Sequence, residues 1–453
     1  MRELRELAER TPARRDRHVD LVRAVAITAV VAGHWLVVDV THDAEGFRGH
    51  SILEVVAWTR PLTWLFQVMP LFFLVGGYAN AASLTSHLAR GGHATGWVLT
   101  RTARLVRPTT VLLCGLVAVA VAARAFGVAP SLIGLGVWLA VMPLWFLVAY
   151  IAVVVLTPLT YALHRRAGLA VPVVLAGLVG AGDLARVVFG LPYGGQANYL
   201  FAWLAVHQLG FSWQDGRLPS RPAVGLPIAA GGLAVLLLLT VAGPYPVSMV
   251  DFGDAKLQNT APPTLALLAL AVTQAGLALA LHDLGNRWLR RPGPWTAIVA
   301  ENSVVMTLFL WHMTALVIGV VALYGTDLMP SAAPGSPAWL LLRVPWLAFL
   351  TATLAVLVAV FGRVERRGVL GDRRAVTRPA GERPRRTAQA VLTVAGAAAV
   401  LAALLQVALA GSAYHGLTGL PPSALAVYGA GAALLAGVRA GAAREGAGRR
   451  SGA

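Results

Sequence analysis

The sequence predicts an all-α, polytopic transmembrane helix bundle. Three observations carry this: 57% of the 453 residues are hydrophobic and 13% charged; apolar runs long enough to cross a bilayer recur from end to end; and the arginines gather between those runs. A net charge of +17 on a soluble domain would suggest nucleic acid. Here the basic residues alternate loop by loop, as membrane orientation requires, so a lipid bilayer and no nucleic acid is the expected partner. Cys114 is the only cysteine, which excludes a disulfide framework and Cys/His zinc spacing. The eleven histidines show no ligand spacing with carboxylates, so no metal site is expected.

In chain order, residues 1–17 form a mixed-charge cytoplasmic leader, not a cleaved signal peptide, because the apolar run that follows has no small-residue cleavage pattern. The first two spans are expected near 20–40 and 61–84. The third is expected to begin at Pro108, whose missing amide proton suits a first helical turn. Pro143 divides 131–163 into a short interfacial or re-entrant piece, 131–142, and a span, 144–163. Further spans fall near 171–189, 197–213, 223–243, 263–282, 295–323 and 338–361. Residues 362–387 carry nine arginines and mark a basic cytoplasmic linker. Two Ala/Leu-rich extra spans, near 388–411 and 421–438, precede a cytoplasmic tail, 439–453. With residue 1 inside, the outer segments hold only Arg48, Arg60, Arg124, Arg186, Lys256 and Arg343. That asymmetry supports about ten core spans plus two C-terminal ones, with both termini on the cytoplasmic side of a cell membrane. No internal repeat stands out.

The chemistry begins in the first span. Eleven residues separate Arg23 from His34, roughly three turns, so both lie on one stripe about 16 Å apart along the axis. Asp20 sits one turn before Arg23 and can pair with it. Ionisable residues within a span are functional candidates, although an interfacial ion pair and a packing histidine would also satisfy the pattern. Arg101, Arg104 and Arg107, spaced by three, share one broad helical face, either as a bidentate clamp for an anion or as positive-inside anchors. Gly76-Gly77 permits close helix approach, with Asn80 as a polar tip. The ninth span carries Glu301, Asn302 and Ser303 and, deeper, His312, at a depth where it could meet His34. Gln67 and His207 are polar lining candidates, Trp145 is a cavity wall or an interfacial anchor, and Asp183 with Arg186 fits a structural ion pair.

Taken in order, Asp20-Leu21-Val22-Arg23 with His34, Phe72-Phe73 before a glycine, Arg101-x-x-Arg104, Leu144-Trp145-Phe146-Leu147, and the late Ser303 and His312 resemble the acyltransferase 3 family of integral membrane acyltransferases. The likeness runs over roughly 17–361, which makes 18–361 the expected transferase domain. It implies transfer of an acyl group, commonly acetyl, from cytoplasmic acyl-CoA as co-substrate, with no permanently bound cofactor, to a hydroxyl of a carbohydrate, glycolipid or related acceptor. The family's roles map onto His34 as catalytic residue, Arg101 and Arg104 as donor contacts, and Arg23 as the arginine of the first-helix motif. Arg107, Asn302 and Ser303 would assist donor binding, and His312 would hold or assist His34. The chain departs from the family in Val75-Gly76-Gly77-Tyr78-Ala79-Asn80, where many members have Ser-Gly-Phe, and in Phe309, where a tyrosine is frequent. A transporter or flippase would also use buried His, Glu and Arg, but would not need a donor clamp in line with Arg23 and His34.

Overall fold

The computed structural model describes the chain except residues 1–5, 7, 8, 10, 12–14, 44, 45, 254–256, 373–382, 412, 413, 415 and 449–453; most of the expected leader and the end of the tail lie outside the described residues. The helices that organise it are α1 (Arg17–Val37), α2 (Met69–Ala89), α3 (Ala94–Ala125), α4 (Pro130–Val141), α5 (Leu144–Ala167), α6 (Ala170–Val187), α7 (Asn198–Gln214), α8 (Pro222–Leu237), α9 (Leu265–Ala280), α10 (His282–Trp288), α11 (Pro292–Asn302), α12 (Val305–Gly319), α13 (Pro337–Asp372), α14 (Arg383–Leu409) and α15 (Pro422–Gly448). Among the described residues ten helical segments are long and apolar enough to cross a membrane, or eleven if α9 and α10, bent by 52°, form one broken span. This is the expected polytopic bundle. The sixth expected span, 197–213, is α7, which has 17 residues, about 25 Å of helix, and is buried along most of its length.

The chain divides into two compact units, Met1–Ala82 with Leu159–Val305 and Val320–Phe349, and Ser83–Pro158 with Met306–Gly319 and Leu350–Ala453. In the first, α1 starts where the Asp16 carboxylate accepts the His18 amide at 3.1 Å, the standard device for an orphan N-terminal N–H. Helix α1 ends at Val37, not at residue 40 as expected. The β-branched alternation of Val38, Val40 and Thr41 suits a strand better than a helix, and β1 (Val38–Asp43) pairs antiparallel with β2 (Gly46–Ser51), with Val38 opposite Ser51. Glycines bring other helices together backbone to backbone. A Cβ on Gly77 would lie 2.1 Å from the His207 carbonyl oxygen, and one on Gly210 would lie 2.1 Å from that of Leu74, so α2 and α7 can cross only there.

Two further expectations are corrected. Pro108 does not open a helix: it lies inside the 32-residue α3, where it removes only the bond that would have reached the Arg104 carbonyl. The expected span 295–323 is interrupted: α11 stops at Asn302, where Ser303 turns its hydroxyl back to the Ala300 carbonyl at 2.6 Å, and α12 starts anew at Val305. In the second unit α12 has a cap from far along the chain. Glu365 accepts the backbone amides of Met306 and Thr307 at 3.1 and 2.8 Å and the Thr307 hydroxyl at 2.7 Å. Helix α13 therefore runs on through residues 362–372, part of the expected linker, and 373–382 lie outside the described residues. The final pair, α14 and α15, packs on α3 in this unit, where the Tyr428 hydroxyl bonds to Val106 and Thr110, each at 3.0 Å.

Candidate functional site

Helix α1 carries candidates of the first unit. Asp20 is buried and receives a two-point bond from Arg15, Nε to Oδ2 at 2.6 Å and Nη2 to Oδ1 at 2.9 Å, and a longer one from Arg23 at 3.4 Å. The expected Asp20–Arg23 pair thus forms, with Arg15 as the stronger partner. Arg23 and His34 are half-buried, and the positions between them on the same stripe, Ile27 and Val30, are packed into the core. The stripe faces protein. The side opposite, with Val25 and Thr28, is exposed.

His34 Nδ1 lies 2.9 Å from the Val30 carbonyl oxygen one turn back. A carbonyl can only accept, so Nδ1 carries the proton and Nε2 carries the lone pair of the neutral ring. His312 in the second unit is fixed in the same way, its Nδ1 2.6 Å from the Phe309 carbonyl. It has no exposed surface, whereas His34 does.

Helix α11 docks on α1 through two of the three residues expected at the site, Glu301 and Asn302. Asn302 Nδ2 donates to the carbonyls of Asp20 and Ile298 at 2.9 and 3.0 Å, and its Oδ1 is buried without a partner among the described residues. Glu301 accepts from the Thr28 hydroxyl at 3.0 Å. Ser303 instead closes the end of its own helix.

In the second unit Arg101 and Arg104 are half-buried and Arg107 is exposed, while Thr102, Ala103, Leu105 and Val106 are all buried. The spacing by three therefore places the three guanidinium groups on the accessible face of α3. Arg101 sits 5.6 Å over the Trp97 ring and donates to Ser83, which also accepts from Trp97 Nε1 at 2.9 Å. An aromatic wall stands in the same unit: Phe146 stacks on Tyr150 at 5.6 Å and meets Phe309 edge-on at 5.1 Å, and Phe309 touches His312 at 6.0 Å. Trp145, the expected wall residue, is half-buried beside it in sequence; Phe146 takes that place in the ring contacts.

Residues 16–362 match the acyltransferase domain of the acyltransferase 3 family. The chain belongs to the acyltransferase 3 family. It is a multi-pass membrane acyltransferase, which favours enzyme over transporter for the polar stripe of α1. No curated protein and no solved structure gives a significant match.

The other candidates of this acyltransferase are engaged in packing. Asn80 donates to His207 Nε2 at 3.1 Å, both buried. Gln67 sits at a break before α2, donating to the Met249 carbonyl at 2.7 Å while its own carbonyl accepts from Gln274 at 2.9 Å. Asp183 takes Tyr245, Asn198 and the Leu265 amide at 2.9, 3.1 and 2.8 Å, with Arg186 at 3.7 Å, so the expected ion pair is the outermost member of a structural network. Sequence reasoning missed Asp16, which beyond capping α1 receives His282 at 2.8 Å and Asn286 at 3.2 Å. An Asp just ahead of the apolar run was the available signal. Asp16 lies outside the span. Burial pushes its carboxyl up, but hydrogen bonds and charge from His282, with Asn286 and His18, outweigh that and hold it below the usual aspartate range.

Proposed function

We propose that this acyltransferase moves an acyl group, in the commonest case acetyl, from cytoplasmic acyl-CoA to a hydroxyl of a carbohydrate, glycolipid or related acceptor, with both chain termini in the cytoplasm. The observation that carries the reading is the state of His34: a half-buried imidazole on the protein-facing stripe of α1, with its Nδ1 proton committed to Val30 and a lone pair on Nε2. That is the form a general base needs.

Nε2 takes the proton of the acceptor hydroxyl as its oxygen attacks the thioester carbonyl. The C–S bond of the tetrahedral intermediate breaks, an ester forms, and the proton passes to the departing thiolate of CoA. Arg101, Arg104 and Arg107 supply fixed positive charge suited to the donor's phosphates. Arg23, held by Asp20, supplies a cation on the stripe of the base, and Asn302 a buried carbonyl acceptor. His312, fixed by its Nδ1 bond to the Phe309 carbonyl, is the residue proposed to assist the base.

The test is release of free CoA from acetyl-CoA by the purified chain in vesicles, with donor binding followed in parallel. His34→Ala should bind donor without turnover, and Arg101→Ala/Arg104→Ala should lose donor binding. A wild-type chain that neither binds nor consumes acyl-CoA overturns the reading.

A further inference from the structure

Five residues beyond His34 the chain builds a second polar site, with a floor that is buried and a rim that is open. The floor is Asp39 on β1 and Arg343 on α13, each less than a tenth exposed. Arg343 donates to Asp39 Oδ1 at 2.7 Å and to the Val38 carbonyl at 3.0 Å, and its guanidinium lies 4.1 Å over the Trp339 ring. Trp339 Nε1 also donates to Asp39 Oδ1, again at 2.7 Å. Both donors converge on one carboxylate oxygen, and Oδ2 accepts no hydrogen bond among the described residues. Tyr324 and Ser331 belong to the lining, as do Pro330 and Val40, and neither hydroxyl makes a hydrogen bond among the described residues. Pro330 and Ser331 are exposed, so the hollow opens at the rim. It has room for about one water-sized group.

An ion pair that served only to fasten β1 to α13 would need nothing more than Oδ1. Here the second carboxylate oxygen and two hydroxyls are left around a hollow of one heavy atom's size. An occupant that donates to Asp39 while accepting from Tyr324 or Ser331 has the chemistry of a hydroxyl. Asp39 and His34 are linked by three helical and two extended steps, which keeps their α-carbons within about 12 Å. One or two sugar rings bridge that distance.

We infer that this hollow is an acceptor subsite that anchors a second, non-reacting hydroxyl while another hydroxyl of the same molecule reacts at His34. The acceptor is then a polyol or sugar, and an alcohol with a single hydroxyl is a poor one. The inference rests on the acyl-transfer reading. Because buried polar partners left unpaired discriminate strongly against analogues lacking the matching group, the subsite acts on choice of acceptor and leaves donor binding alone.

The test uses membrane vesicles containing the full chain, incubated with acetyl-labelled acetyl-CoA. Label entering extracted acceptors is measured, the product is tested for cleavage by periodate, which requires neighbouring free hydroxyls, and donor binding is measured on the purified chain. Ser331→Leu, at the exposed rim, plugs the hollow without removing a hydrogen bond, and Tyr324→Phe removes one hydroxyl. Incorporation should fall at least tenfold for Ser331→Leu and about fivefold for Tyr324→Phe, with donor affinity and melting temperature kept, and the labelled product should be cleaved by periodate. Normal incorporation by both variants overturns the subsite, as does a product whose acceptor has no hydroxyl besides the acylated one. No incorporation by the wild type, or incorporation that survives His34→Ala, overturns the acyl-transfer reading itself and the subsite with it.

Discussion

Replacing His34 by Asn separates the two things the ring does. The amide nitrogen of Asn falls near the place of Nδ1 and can keep the 2.9 Å bond to the Val30 carbonyl, so α1 retains its local geometry. No basic lone pair remains where Nε2 was. General-base catalysis is worth about 10²–10⁴ in rate, or about 3–5 kcal/mol of barrier at the reaction step. The expected outcome is a fall of that size in acceptor-dependent CoA release, with acyl-CoA affinity and melting temperature within error of wild type. Loss confined to the turnover number marks an interaction made only in the transition state. Stopped assays of free CoA against acceptor concentration, with donor binding measured on the same preparation, give both numbers. Turnover by His34→Asn within about tenfold of wild type would refute the assignment, since an amide cannot take the proton.

Two further substitutions test how the site is held. Glu365→Ala strips three hydrogen bonds from the start of α12 and should cost about 1–3 kcal/mol, visible as a lower melting temperature in detergent. Glu365→Asp should recover part of the loss, and an unchanged melting temperature for the alanine variant would remove the cap from the account. Asp16 tests pH. Its folded carboxyl is held below the ordinary aspartate value near 3.9, so its contribution is present above that pH and is lost as pH falls through the folded value. Asp16→Asn should therefore lower stability at neutral pH and flatten the acid limb of the stability profile; a profile with the wild-type acid limb contradicts the shift.

The polytopic fold, the division at Pro143 and the shared face of the three α3 arginines were legible in the sequence because each follows from local periodicity and hydropathy. The errors came where a local rule met a long-range partner. Pro108 has a good first-turn signature, but the helix around it is continuous because the residues before it, Thr102 to Val106, bury one face in their own unit and outweigh a single missing hydrogen bond. The interruption at Ser303 sits in a run long and apolar enough to read as one span. What stabilises the restart is the Glu365 carboxylate, some sixty residues downstream in a stretch that its arginines disguise as a linker. Asp39 read as the end of a span; only the arrival of Trp339 and Arg343 turns it into the floor of a hollow.

Polar residues inside apolar helices all looked alike in the sequence, and their partners now divide them. Asn80 and His207 answer each other in the core of one unit. Because the Asn80 amide nitrogen can only donate, His207 Nε2 accepts, which leaves its Nδ1 proton buried without a partner among the described residues. A pair of this kind is costly to halve and cheaper to remove whole. Asn80→Leu strands the second ring nitrogen of His207 as well, and should destabilise by about 1–3 kcal/mol. Asn80→Leu/His207→Leu should be less destabilised than the two single effects added together, with a coupling of about 0.5–3 kcal/mol in a double-mutant cycle. All three variants that fold should keep acetyl-CoA affinity. If the stability effects simply add, and Asn80→Leu weakens donor binding instead, Asn80 is a donor-binding residue and not a packing one.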